Sequence, residues 1–90
     1  MESLVSMQNI GREMAKKLRS VGIDSPTMLR ELGAEEAFVR LKEVYPNMCV
    51  VFLYTLEGAI TNREYNKLPL SRKKELKAFS DSLGIVENGS

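Results

Sequence analysis

Met48-Cys49-Val50-Val51-Phe52-Leu53-Tyr54-Thr55-Leu56-Glu57-Gly58-Ala59-Ile60 is the stretch on which the fold class turns. Its β-branched and aromatic run from Val50 to Tyr54 reads locally as a buried strand. The apolar pattern, however, continues through Leu56, Ala59 and Ile60, which is longer than an ordinary strand and suits a helix. Asn47 is the expected cap. A helix apolar on nearly all sides lies at the centre of its domain, covered by the others. Gly58 costs such a helix about 1 kcal/mol, so a close approach by a neighbouring element is expected there. Cys49, among apolar neighbours and with no nearby base, is expected to be a buried and inert core thiol.

Upstream of this segment, Pro46 ends a third helix that begins at Ala34-Glu35-Glu36; the residue before a proline leaves helical geometry, and acids suit a helix start. A short second helix opens at Ser25-Pro26, turns Met28, Leu29 and Leu32 inward and ends at Gly33, with serine as cap and proline in the first position. The first helix, about Gly11 to Val21, aligns Ile10, Met14, Leu18 and Val21 on one face and Arg12, Lys16 and Arg19 on the other, with Gly22 as its left-handed terminator. Downstream, Thr61 to Lys67 is a polar connection. Leu68-Pro69-Leu70 leads into a fifth helix with Leu76, Phe79 and Leu83 inward, and Gly84 is its expected end. The reading is all-α: a compact bundle of about five helices, one domain over residues 8–84, with flexible ends at 1–7 and 85–90.

Composition narrows the chemistry. The chain has no histidine and one cysteine, which rules out a zinc site of nitrogen and sulfur ligands and also the Ser-His and Cys-His catalytic pairs. No metal, no cofactor and no enzymatic activity are expected. The longest apolar run is far short of the roughly 20 residues that a membrane span needs, so no membrane role is expected. With no export signal and an unpaired cysteine, the expected location is cytoplasmic.

Charge is unevenly spread beneath a net +1. Residues 12–19 hold Arg12, Lys16, Lys17 and Arg19 against Glu13, and residues 67–77 hold Lys67, Arg72, Lys73, Lys74 and Lys77 against Glu75. Between them lies an acidic middle. If the two basic ends adjoin, they form an anion-binding surface of the kind nucleic acid uses. Asn9-Ile10-Gly11 leading into Arg12 is helix-hairpin-helix-like, a tight turn opening a helix whose free amides and dipole suit a phosphate. The site expected from these residues is Gly11, Arg12, Lys16 and Arg19, joined by Arg72 and Lys73. The same residues also fit a plain solvated helix face, and a net charge so near zero argues against tight sequence-independent binding.

Asn9-Ile10-Gly11, the string from Val21-Gly22-Ile23-Asp24-Ser25-Pro26 through Leu29 to Phe38, Leu53-Tyr54, Leu56-Glu57-Gly58-Ala59, Leu68-Pro69, Lys74-Glu75-Leu76 and Phe79 together resemble the C-terminal domain of TfoX/Sxy competence regulators. The resemblance covers roughly Gln8 to Gly84. It implies an all-α regulator domain, here a stand-alone copy without the N-terminal half, and it assigns no catalytic residues. Two functions follow as expectations. One is a module contacting nucleic acid through the basic helix start. The other is a protein-interaction or self-association module whose partner is another regulatory protein or a second copy in a homodimer.

Overall fold

A computed structural model describes the backbone of residues 3–88 and the side chains of residues 3–83. Four helices carry the fold: α1 (Arg12–Ser20), α2 (Pro26–Val44), α3 (Val50–Thr61) and α4 (Leu70–Asn88). A 3-10 turn at Leu4–Ser6 precedes α1, and another at Tyr65–Lys67 precedes α4. Helix α3 packs against α2, α4 and the second 3-10 turn, while α1 leans on α2 and the first turn. That is the central place its apolar sequence predicts.

Local chemistry explains most boundaries. Helix α1 buries Met14, Ala15 and Leu18 and closes on Gly22, whose φ is 85°. The Gly22 amide donates to the Arg19 carbonyl at 3.0 Å and the Ile23 amide to the Leu18 carbonyl at 2.9 Å, the paired bonds of a left-handed helix stop. Ile23 and Leu18 are both fully buried, so the stop is also a core contact. In α2, Ser25 accepts the Met28 amide at 3.2 Å and Pro26 occupies the first turn, as the sequence suggests.

The helical path breaks at Gly33, where the sequence reading ends a second helix and opens a third. Gly33 (φ 86°, ψ 162°) is non-helical, so α2 is two helical arms that follow each other without an intervening loop. Helical geometry resumes at once on its far side. Leu29 before the bend and Ala34, Ala37, Phe38 and Leu41 after it are all buried, so both arms face the same core.

Three expectations fail. Helix α3 starts at Val50, not at Asn47, and its cap is Cys49. The reason lies in the preceding turn: the Met48 amide is spent on the Tyr45 carbonyl at 3.1 Å, and the Lys42 ammonium donates to the Pro46 and Met48 carbonyls at 2.9 and 3.2 Å. Met48 takes the core position and is 5% exposed. Cys49 is therefore exposed, not buried. Nor does Gly84 end α4, which stays helical to Asn88. A glycine weakens a helix by about 1 kcal/mol, but it stops one only where it turns left-handed.

Leu4 and Met7, inside the segment 1–7 read as loose, are 1% and 8% exposed and belong to the core. Met1, Glu2, Gly89 and Ser90 lie outside the described residues. Leu53 and Leu56 from α3 meet Leu18, Ile23, Leu29, Phe38, Leu41 and Leu76 in one continuous core, where full burial of a leucine contributes about 1.5–3 kcal/mol. Among the described residues no polar or charged side chain is fully buried.

Gly58 is the close approach that its sequence position predicts. A Cβ there would collide with the side-chain amide of Asn9, would stand 2.5 Å from the Arg63 carbonyl oxygen and would reach Tyr65 Cα at 3.4 Å. Two of these neighbours are backbone and cannot swing aside. Gly58→Leu is therefore expected to destabilise the fold by about 1–3 kcal/mol or more, measured as a lower urea midpoint; an unchanged midpoint would contradict the crossing. Cys49 gives an independent check. It is expected to react with a thiol reagent in the native protein nearly as fast as in denaturant, and slow native labelling would restore the buried assignment.

Candidate functional site

The beginning of α1 is built by a turn running from Met7 to Gly11. The Ile10 amide donates to the Met7 carbonyl at 3.2 Å, and Asn9 takes a left-handed conformation with φ 71°, a region asparagine enters more readily than most residues. Its side chain reaches across the molecule. Asn9 Nδ2 donates to the Arg63 carbonyl at 2.8 Å, and Asn9 Oδ1 accepts the Tyr65 amide at 3.3 Å. One residue thus fixes the turn and ties it to the α3–α4 connection.

Gly11 caps α1 with φ −95° and ψ −174° and offers no side-chain hydrogen bond to the first-turn amides. This is extended backbone, open to any residue, and a Cβ on Gly11 would meet nothing within 4 Å. Nothing inside the protein requires glycine at this position. The ladder begins with the Ala15 amide on the Gly11 carbonyl at 2.9 Å. The preceding amides lie at the positive end of the helix dipole and receive no side-chain cap from Gly11.

The basic residues of α1 separate into two sets. Arg12, Lys16 and Arg19 are exposed, and among the described residues none of them has a carboxylate partner. Lys17 turns the other way: it lies 5.4 Å from the centre of the Tyr45 ring and 3.9 Å from Glu13. Ser20 Oγ donates to the Lys17 carbonyl at 2.6 Å and lies 2.9 Å from the Tyr45 hydroxyl. Lys17 belongs to the α1–α2 seam, and the other three cations belong to the solvent.

At the second basic cluster the structure finds a different use for charge. Arg72 meets Glu57 of α3 at 3.1 Å, Glu75 at 3.1 Å and Glu35 of α2 at 3.9 Å. The Glu57 hydrogen bond is the largest influence and holds the guanidinium proton more tightly than usual against the opposing effect of burial; Glu75 and Glu35 act in the same direction as Glu57. Arg72 joins three helices. Lys73 lies 5.2 Å from the centre of the Tyr54 ring. No hydrogen bond or ion pair among the described residues joins α1 to α4, so the structure does not bring the two basic ends together through such contacts.

Sequence reasoning missed the Asn9 clamp and the Arg72 cage. Asn9 sits where a hairpin of this kind has glycine, so it reads as a weakened copy of that turn; its partners lie 54 and 56 positions away, and no local signal points to them. Among the described residues no group of three or more histidine, cysteine, aspartate or glutamate side chains is placed to hold a metal ion. No helix there is long and apolar enough to cross a membrane.

Comparison with known proteins agrees with the fold. The family described as the TfoX C-terminal domain matches residues 1–80. Protein Sxy of Escherichia coli K12 is 34% identical over 82 residues, covering 91% of this chain and 39% of that protein. The DNA transformation protein TfoX of Haemophilus influenzae is 33% identical over 73 residues, covering 81% of this chain and 34% of its own length. The chain thus spans little more than a third of either relative. Two solved structures from Listeria monocytogenes superpose closely. An uncharacterized protein in a triclinic crystal form has TM-score 0.90 at 36% identity, covering 92% of this chain and 94% of its own. A protein of unknown function in a tetragonal form has TM-score 0.86 at 38% identity, covering 89% and 99%.

The clamp can be tested by substitution. Asn9→Gly keeps the left-handed backbone but removes both side-chain bonds, each worth about 1 kcal/mol. Asn9→Ala removes the same bonds and adds the left-handed penalty of about 1–2 kcal/mol. Urea unfolding should rank wild type above Asn9→Gly and Asn9→Ala last; equal stability of all three would show that the clamp carries nothing.

Proposed function

Since the chain belongs to the TfoX C-terminal domain family, we propose that this non-enzymatic domain binds nucleic acid by its phosphate backbone at the start of α1. The carrying observation is Gly11. It leaves the first-turn amides of α1 without a side-chain cap, and the space in front of it is open. An anion seated there gains from amides and dipole together. Arg12, Lys16 and Arg19, exposed and without carboxylate partners among the described residues, supply the charge that phosphate binding draws on.

The turn behind this site supports a helix-hairpin-helix-like reading. Asn9 is left-handed where the pattern has glycine, and a 3-10 turn at Leu4–Ser6 stands where a first helix would. Arg72 acts by holding α4 in place through Glu57, and Lys73 lies over the Tyr54 ring outside the α1 site. The name of the Haemophilus relative connects that protein with DNA transformation, and a regulatory role in competence is part of the same proposal. An exposed, unpaired Cys49 suits a reducing compartment and supports a cytoplasmic location.

The test is an electrophoretic shift titration with duplex DNA at several salt concentrations. Arg12→Glu with Lys16→Glu is expected to remove most of the affinity while leaving the circular dichroism spectrum unchanged. The parent's log–log salt slope should steepen by roughly 0.9 for each phosphate engaged, and the double variant's slope should be shallower. Failure of the parent to retard DNA even near roughly 50 mM salt would overturn the reading.

A further inference from the structure

A groove between α3 and the start of α4 carries a second interaction surface. Its volume is ≈360 Å³, and Tyr54, Leu70 and Ala78 line it together with Lys73, Lys74, Lys77 and Asp81. Leu70 is 68% exposed, the highest value among the exposed large hydrophobic residues. Lys77 is paired with Asp81 at 3.1 Å. Lys73 and Lys74 have no carboxylate partner among the described residues. The groove is thus an apolar trough with a net positive edge, at the positive end of the α4 dipole.

We propose that this groove docks an acidic amphipathic segment of a partner protein, with carboxylates on Lys73 and Lys74 and an apolar side chain against Leu70. Charge complementarity selects the sign of the partner, and the exposed aliphatic surface selects its class. A sugar-phosphate backbone would satisfy the lysines but would leave Leu70 uncovered. Lys73 already occupies a face of the Tyr54 ring, which removes the stacking platform that single-stranded nucleic acid uses. Burying Leu70 needs an apolar group, and an amphipathic peptide brings one beside its charges. The proposal stands apart from the α1 reading: the residues it names lie on α3 and α4, and those of the phosphate site lie on α1 and the turn before it.

The probe is a short fluorescein-labelled peptide in which leucine and aspartate alternate on one helical face, titrated with the full chain and read by anisotropy. Leu70→Ser is expected to weaken binding about tenfold, the loss of one buried aliphatic side chain. Lys74→Glu should weaken it by at least a similar factor, and Arg12→Glu with Lys16→Glu should leave it unchanged. Leu70 and Lys74 are exposed, so both variants should keep the parent's helical spectrum. Four results would overturn the proposal: no binding of the peptide by the parent; binding indifferent to Leu70→Ser; displacement of the peptide by duplex DNA from the Arg12→Glu/Lys16→Glu variant, which would assign the groove to nucleic acid; or a mass that doubles with concentration and reverts in Leu70→Ser, which would assign it to a second copy.

Discussion

Asn9 seated on Gly58 is the contact through which the two ends of the chain are made one structure. The side chain of Asn9 lies over the glycine of α3 because no Cβ is there to stop it. From that seat it holds the Arg63 carbonyl and the Tyr65 amide. The same two residues follow the left-handed Asn62 that ends α3, where the Arg63 amide returns to the Gly58 carbonyl at 2.8 Å. A glycine that weakens its own helix thereby admits the amide that fixes both the entry to α1 and the exit from α3. The geometry of the proposed phosphate site, with the Met7 to Gly11 turn before Arg12, is inherited from this packing.

Charge is divided between architecture and surface by helix position rather than by residue type. Arg72 and Lys16 are both cations on helices rich in lysine and arginine. Arg72 faces the junction of α2, α3 and α4, where Glu57 and Glu35 meet it. Lys16 faces water. The acidic middle of the sequence is therefore partly consumed inside the fold, and cations without carboxylate partners among the described residues remain on α1, at Arg63 and along the lysine groove of α4. A net charge of +1 consequently understates what a partner meets at either place, because a field is felt over about 8–10 Å at physiological salt and not over the whole molecule.

This division gives a physical outline for the two proposed contacts. An α1 face of unpaired cations and uncapped amides suits phosphates; an apolar trough with lysines suits an acidic protein segment. Neither surface requires chemistry, in keeping with a non-enzymatic TfoX C-terminal domain. Both rest on helices fixed by one core, so either contact is made without a large conformational cost.

The all-α class, the inward faces, the Ser25-Pro26 start, the Gly22 stop and the tight packing at Gly58 were legible in the sequence, because each follows from periodicity or from local backbone chemistry. The exposed basic face of α1 was legible for the same reason, since Arg12, Lys16 and Arg19 share a helical spacing. Contacts between distant residues decided the rest. Cys49 is exposed because Lys42 and Tyr45 tie down the preceding turn and give its core place to Met48. The two arms of α2 on either side of Gly33 turn their apolar faces to one core only in the folded chain. Asn9 is a clamp, and Arg72 a strut, because of partners that the chain brings near only when it folds. A helix's face is written in the order of its residues, but the neighbour that covers it, and so the charge left for a ligand, is settled by packing.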